Sequence, residues 1–417
     1  MFALADANRF YVSCERVFDP KLRNRPVVIL SNNDGCVISL SDEARSLGVR
    51  MAVPFFQIKE LVEREKISVL SSHYTLYGDM SHRLMSILQL LFPQVEVYSI
   101  DEAFLFLPGM EKIENYAQEA REVVYQWLGL PISIGIGPTK TLAKVANKLA
   151  KDRRLGVFVL QTPEQIAEEL ASFPVENIWG VGKQIAKSLR CQGIFTALDL
   201  QRLDPRSARQ QYTVIGERLV RELNGEACSE VEGLVASKKS IQMGRSFSRP
   251  ISLLSEMEQA VATYVSRLAE KLRQQNLYTY GLRVYMRNSP YHQDFHYQTL
   301  ESQFPQPIHD TQALIRFALA LTKKIFKTGR PYHKAGVIAY PLTSHPASKQ
   351  ILLFTEEPIT SAKNENLSGV LDQLNQKYGA GTLRYAVCGI KPSWSMRADR
   401  KSPAFTTRWK ELMKVKG

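Results

Sequence analysis

Paired cysteines, clustered histidines and membrane-length apolar runs are all missing from this chain of 417 residues. The five cysteines, Cys14, Cys36, Cys191, Cys228 and Cys388, form no Cys-x-x-Cys pair and have no histidine at zinc spacing. That excludes a zinc module and a disulfide framework and fits reduced, structural thiols. Cys14 reads as a small buried apolar residue. No apolar stretch approaches the roughly 18 residues of a membrane span, and the first residues lack the basic segment of a secretory signal. A cytoplasmic protein with no membrane partner is the expectation.

Positive charge is abundant and unevenly placed. The chain carries a formal net charge of +13, and residues 236 to 350 hold 16 Lys and Arg against 6 Asp and Glu, a net +10, leaving +3 for the other 302 residues. A domain that tracks a phosphate backbone would concentrate charge in this way, because each neutralised phosphate releases counterions. A solvated basic face is the other reading.

Negative charge is notable for where it interrupts apolar sequence. Val95 to Leu107 alternates as a strand or hairpin does, with Asp101 and Glu102 side by side in it. The pair fits either a solvated turn or a buried site in which a divalent metal offsets the cost of burying carboxylates. A second apolar run, Met1 to Tyr11, is interrupted by Asp6. Three carboxylates on neighbouring strands can hold two Mg²⁺ ions, the arrangement used in phosphoryl and nucleotidyl transfer.

Along the chain, residues 1 to about 165 alternate strands and helices, including a short strand over 131–137 and a helix over 139–151. Residues 166 to about 235 read as helical and contain Ile178-Trp179-Gly180-Val181-Gly182-Lys183, then Ala186, Leu189 and Gly193-Ile194. That spacing fits a helix-hairpin-helix whose glycines expose backbone N–H groups to a DNA phosphate, or an ordinary helix-turn-helix. Residues 241 to 346 follow a βαββαβ order, which predicts a four-stranded sheet with two helices on one face and a bare face opposite. Residues 355–366 read as a polar linker, Leu367, Val370, Leu371 and Leu374 as the apolar face of a short helix, and Trp394, Phe405 and Trp409 as exposed aromatics among basic residues.

The five-residue step from Asp6 to Tyr11, together with Ser99-Ile100-Asp101-Glu102-Ala103-Phe104, resembles the Y-family translesion DNA polymerases. Phe10-Tyr11-Val12-Ser13-Cys14-Glu15, Leu30-Ser31-Asn32-Asn33-Asp34-Gly35-Cys36-Val37-Ile38 and Ser402-Pro403-Ala404-Phe405-Thr406-Thr407-Arg408-Trp409 are similar to its UmuC-like branch, the catalytic subunits of bacterial DNA polymerase V and plasmid-borne relatives. The resemblance implies an α+β multidomain right-hand polymerase. Its parts would be a palm over 1–165 with fingers inserted at about 20–75, and a helix-hairpin-helix thumb over 166–235. A little finger over 236–346 would follow, then a clamp-binding motif, linker and C-terminal partner-binding region over 347–417. It also implies error-prone, template-directed transfer of nucleotides from dNTP to a primer 3′-hydroxyl during the SOS response to DNA damage. The alternative is a non-catalytic DNA-binding adaptor on the same fold, which would have no need of the three carboxylates present here.

By the same resemblance, Asp6, Asp101 and Glu102 are the catalytic carboxylates and, with the carbonyl of Ala7, ligands of two Mg²⁺. Tyr11 matches the steric gate against a 2′-hydroxyl, with a core tyrosine as the plainer reading, and Phe10 packs beside it. Ile38 roofs the nascent pair, while Arg45 and Lys151 meet the triphosphate. Asp42 stands where the family often has a tyrosine; it is expected to point away, with the Ser39 hydroxyl in its place. DNA contacts are expected from Gly180, Gly182, Lys183, Lys238, Lys239, Arg245, Arg249, Arg283 and Arg287. Gln350, Leu352, Leu353 and Phe354 resemble a sliding-clamp-binding pentapeptide, or an edge strand. The implied partners are primer-template DNA, dNTP, the bacterial sliding clamp, a UmuD-type accessory dimer and the RecA filament, in the bacterial cytoplasm and at the nucleoid.

Overall fold

The run Phe2–Ala7 is apolar on both faces apart from Asp6, and such a strand is stable only where both faces are covered. In the structure, a computed structural model that describes residues 1–108, 112–228, 238–291, 293–345, 362–390 and 392–412, it is the middle strand of a five-stranded sheet and all six of its residues are buried. The chain divides into two compact units: Met1–Ser31, Gly35–Val235 and Asp399–Gly417 form the first, and Asn32–Asp34 with Ala236–Ala398 the second.

The first unit begins β1 (Phe2–Ala7), α1 (Phe10–Phe18), β2 (Val27–Leu30), β3 (Val37–Leu40), α2 (Asp42–Ser46), α3 (Lys59–Arg64), β4 (Ser68–Ser71) and α4 (Tyr74–Leu91). It continues with β5 (Gln94–Val97), β6 (Glu102–Phe106), α5 (Ile113–Leu128), β7 (Ile132–Gly137), α6 (Lys140–Asp152) and β8 (Val157–Val159). The helical part comprises α7 (Pro163–Ser172), α8 (Lys183–Cys191), α9 (Ala197–Gln201) and α10 (Pro205–Leu223). The large sheet runs β5-β6-β1-β7-β8, and a small sheet, β3-β2-β4, lies within the span between α1 and α4 around its own core of Val28, Leu30, Val37 and Leu40. The helical part joins α6 through Glu222 near the end of α10. Its buried carboxylate accepts the Thr141 backbone N–H (2.9 Å) and hydroxyl (2.5 Å), placing negative charge at the positive N-terminal end of α6.

The second unit has the expected βαββαβ order: β9 (Ile241–Ile251), α11 (Leu254–Gln274), β10 (Tyr278–Arg287), β11 (Tyr297–Ile308), α12 (Thr311–Ile325) and β12 (Tyr332–Ala339). These are followed by the short β13 (Leu342–Thr343) and by α13 (Ala362–Tyr378). Its sheet is ordered β11-β10-β12-β9, and the apolar sides of α11 and α12 fill one face with Leu282, Val284, Met286 and Val337.

Two expectations are corrected in the C-terminal region. Trp394 and Phe405 are not exposed: Trp394 is buried in the core of the second unit, and Phe405 in that of the first, stacked on Phe18 at 5.1 Å. Only Trp409 of the three is exposed, at 88%. The helix expected near 367–374 is present within α13, with Leu371 and Leu374 half-buried while Leu367 and Val370 face solvent. Ser368 also donates to Asp310 (3.2 Å) and Asp372 pairs with Arg273 (2.6 Å), polar contacts that an apolar-period reading misses. The clamp-like Gln350, Leu352, Leu353 and Phe354 lie outside the described residues. No described helix is long and apolar enough to cross a membrane.

Candidate active site

The stretch Val95 to Leu107 is a hairpin, and the two acidic residues lie where its turn meets β6. Ser99 makes the turn. Its hydroxyl accepts the backbone N–H groups of Asp101 (3.2 Å) and Glu102 (3.0 Å) and donates to the Asp101 carboxylate at 2.6 Å. Antiparallel pairing sets Asp6 opposite Glu102, and the Ala7 N–H donates to the Asp101 carbonyl (2.9 Å). The backbone therefore brings Asp6, Ala7, Asp101 and Glu102 together at one end of the sheet.

Helix α6 crosses this end because β7 is built to receive it. A Cβ on Gly135 would fall on the backbone nitrogen of Asn147, and one on Gly137 would lie 2.9 Å from that of Ala143. Only glycine permits that approach. Asn147 then fixes the register of α6, donating to the carbonyls of Leu4 (3.1 Å) and Ser133 (2.8 Å). One turn on, Lys151 pairs with Asp6; almost one turn back, Lys144 meets Glu102 at 3.1 Å. Lys144 also lies over the Tyr98 ring, and Tyr98 accepts the indole N–H of Trp179. Among the described residues no three His, Cys, Asp or Glu side chains are drawn together as a ligand set. The backbone brings the three carboxylates to one end of the sheet, but each is held by its own neighbour: Lys151, Ser99 or Lys144.

Burial pushes the Asp6 carboxyl up to about 7, Lys151 pulls it down, and Glu102 opposes that pull. The oxygen donors here suit Mg²⁺, so the residues present fit the implied ions.

Beside these groups lies a cleft of about 960 Å³ lined by Asp6, Ala7, Phe10, Tyr11, Ile38, Ser39, Arg45, Asp101 and Lys151, among others. Phe10 is 3% exposed and belongs mainly to the core. Tyr11 is half-buried; its ring stacks on Tyr77 (4.6 Å between centroids) and meets Tyr74 edge-on. Asp42 requires correction: it does not point away but lines the cleft, where it pairs with Arg9. Sequence reasoning missed Arg9, together with Arg121, Lys148 and Arg154, which line the same cleft. No local periodicity flags Arg9, which holds left-handed backbone (φ 48) just before α1 and finds its partner 33 residues away.

The remaining expected contacts are distributed over both units. Gly180 (φ 92) and Gly182 precede α8, and Lys183 is exposed at its first position. In the second unit Arg283, Tyr285 and Arg287 alternate with buried Leu282, Val284 and Met286, which puts them on the face opposite the helices. Arg283 is not free there, since it pairs with Glu301 at 2.6 Å; Arg249 likewise pairs with Glu256. Arg287 lies across from Lys334, whose pKa is lowered by burial and by the charges of Arg287 and Arg245. Lys238 donates to Gln275 (2.9 Å), and Lys239 is exposed.

A palm-like sheet with acidic residues at one end, a small inserted sheet, a helical region and a four-stranded domain define a Y-family DNA polymerase. A solved Y-family polymerase chimera, Dbh-Dpo4(243-245)-Dbh, shares this fold with a TM-score of 0.67 at 19% identity, over 82% of this chain and 98% of that one. The chain belongs to the impB/mucB/samB family: that family's model matches residues 5–148 and its C-terminal-domain model residues 238–353, while a domain of unknown function, DUF4113, matches 365–415. It is 41% identical to the protein UmuC of Salmonella typhimurium strain LT2 over 100% of both chains. It is 28% identical to DNA polymerase IV 1 of Bacillus subtilis strain 168 over 91% of each.

Proposed function

We propose that the chain is an error-prone translesion DNA polymerase in which Asp6, Asp101, Glu102 and the Ala7 carbonyl hold two Mg²⁺ beside a dNTP cleft. The observation that carries this reading is the register of Asp6 against Glu102, with Asp101 bonded to Ala7, at the mouth of a cleft that also contains Tyr11, Arg45 and Lys151. When bound, the two ions would activate the attacking 3′-hydroxyl and neutralise the leaving pyrophosphate. The residues of the chain do the positioning. Arg45 can fork across two phosphate oxygens, and Lys151 acts as a point charge, moving from Asp6 to phosphate as substrate enters. Tyr11, backed by Tyr77, underlies the sugar and clashes with a 2′-hydroxyl. Ile38 roofs the base, and Ser39, 7% exposed, offers a hydroxyl from β3.

The charge concentrated in the second unit supports its reading as the DNA-tracking domain, with Lys238, Lys239, Arg245, Arg249, Arg283 and Arg287 near the backbone. Gly180, Gly182 and Lys183 would meet a phosphate at the start of α8. Gln350, Leu352, Leu353 and Phe354 are read as the clamp-binding anchor. Exposed Leu367, Val370 and Trp409 support partner binding by the C-terminal region, a UmuD-type dimer and the RecA filament being the expected occupants. Primer extension tests the catalytic reading. The chain extends a primer with dNTP and Mg²⁺, and Asp101→Ala abolishes extension; extension that persists in Asp101→Ala overturns the assignment in favour of a metal-independent or contaminating activity.

A further inference from the structure

The C-terminal segment 399–412 reaches the aromatic floor under the cleft through a chain of hydroxyl and carboxylate groups. Its backbone joins the small sheet at Ser71: the Ser71 N–H donates to the Arg400 carbonyl (3.0 Å), the Arg400 N–H to the Ser71 hydroxyl (3.0 Å), and Ser71 forms a parallel bridge with Lys401. Arg400 lies over the Phe55 ring, and Phe405 stacks on Phe18 at the end of α1. Between these two anchors the Ser402 hydroxyl donates to Glu15 Oε1 at 3.1 Å, and Tyr77 Oη donates to the same oxygen at 2.7 Å. Ser402 has one proton, and Glu15 takes it. The 3.2 Å contact with His73 Nδ1 is therefore an N–H donated to Ser402 Oγ, which fixes the tautomer of His73. Glu15 is 1% exposed and Tyr77 fully buried, so neither can turn to water for a replacement partner.

Glu15 lies one turn beyond Tyr11 on α1, and the Tyr77 ring is the surface on which Tyr11 stacks. We propose that Ser402, acting through Glu15 and Tyr77, is a positioning residue for Tyr11, so that the C-terminal segment sets how strictly the cleft rejects ribonucleotides. The proposal rests on the reading of Tyr11 as the sugar gate and adds a remote determinant 391 positions away in the chain. Its physical basis is that an aromatic gate discriminates only as well as its ring is held, because a ring that can retreat by a fraction of an ångström admits the extra hydroxyl. Losing the Ser402 proton leaves the buried Glu15 carboxylate one donor short, and the compensating shift falls on Tyr77, its other partner.

The test compares kcat/KM for dNTP and for the matching rNTP in the full-length chain with Ser402→Ala, Ser402→Thr, Tyr77→Phe and Tyr11→Ala. A hydrogen bond to a buried charge passing part of its value to the ring predicts a fall in the dNTP/rNTP ratio of about three- to tenfold for Ser402→Ala and Tyr77→Phe. Ser402→Thr, which keeps the hydroxyl, should restore the ratio. A merely structural loss would lower both rates together and leave the ratio unchanged. Loss of discrimination in Tyr11→Ala with an unchanged ratio in both Ser402→Ala and Tyr77→Phe overturns the positioning role while keeping the gate. An unchanged ratio in Tyr11→Ala overturns the gate itself. Tyr77→Phe removes one oxygen and no packing volume, so it decides the matter should Ser402→Ala fail to fold.

Discussion

Arg9→Gln offers the sharpest quantitative test of the cleft, because it isolates Asp42, an acidic residue whose sign does not fit the proposed triphosphate site. Asp42 lines the cleft and is paired with Arg9, both partly open to solvent, with side chains 34% and 55% exposed for Arg9 and Asp42. With Arg9 in place the pair is close to neutral as seen from the substrate; without it an uncompensated carboxylate faces roughly four negative charges. Two unit charges about 4 Å apart interact by about 1 kcal/mol in water and about 4 kcal/mol at an effective dielectric of about 20. The exposure of both side chains places this case near the lower figure. Arg9→Gln should therefore raise the KM for dNTP about fivefold with little change in kcat, in a single-nucleotide incorporation assay at low salt. The effect should shrink at high ionic strength. Asp42→Asn in the same chain should restore KM, since it removes the charge that Arg9 was screening. If the double variant remains as weak as Arg9→Gln alone, the screening argument is wrong and Arg9 contacts the triphosphate directly.

Three further outcomes follow from packing and exposure. Gly135→Ala should cost about 3 kcal/mol, because the new methyl group displaces the backbone of α6 and with it Lys144 and Lys151; an unchanged melting temperature would contradict the close approach. Trp394→Ala should cost about 3–5 kcal/mol as a cavity in the second unit, whereas Trp409→Ala, on a side chain 88% exposed, should change stability by less than about 0.5 kcal/mol in the same denaturation experiment. Under native conditions a maleimide should label exposed Cys191 and spare Cys14 and Cys388, since burial hides both and pushes the Cys14 thiol far up; mass spectrometry reads the sites directly.

The elements legible in the sequence are those whose partners lie nearby or whose pattern repeats. The period-two alternation around Asp101 and the βαββαβ rhythm of residues 241–346 both give strands where expected, because half-buried strands leave that trace. Side-chain pairings across the fold leave none: Arg9 to Asp42, Lys151 to Asp6 and Ser402 to Glu15 join residues 33, 145 and 387 positions apart. The C-terminal aromatics show the cost of this most clearly. Trp394 and Phe405 sit among basic residues and read as surface, yet each enters a core built mostly from residues far away in the chain. Only tertiary docking overrides that local composition.

Charge at the candidate site is partly matched in pairs, so its cations stand out less in the sequence than the basic stretch 236–350 does. Asp6 with Lys151, Asp42 with Arg9 and Asp152 with Lys148 are paired in the cleft, and Glu102 with Lys144 beside it, while Arg45, Arg121 and Arg154 line the cleft outside any ion pair among the described residues. Asp6 is the buried member of these pairs, and leaving its carboxylate unpaired would be costly. The pair with Lys151 offsets part of that cost. In the proposed function, Lys151 would pass from Asp6 to phosphate, and the Asp6 carboxylate would then be available to hold Mg²⁺. That exchange would need the Asp6–Lys151 pair to open; burial pushes the Asp6 carboxyl up to about 7, while Lys151 pulls it down.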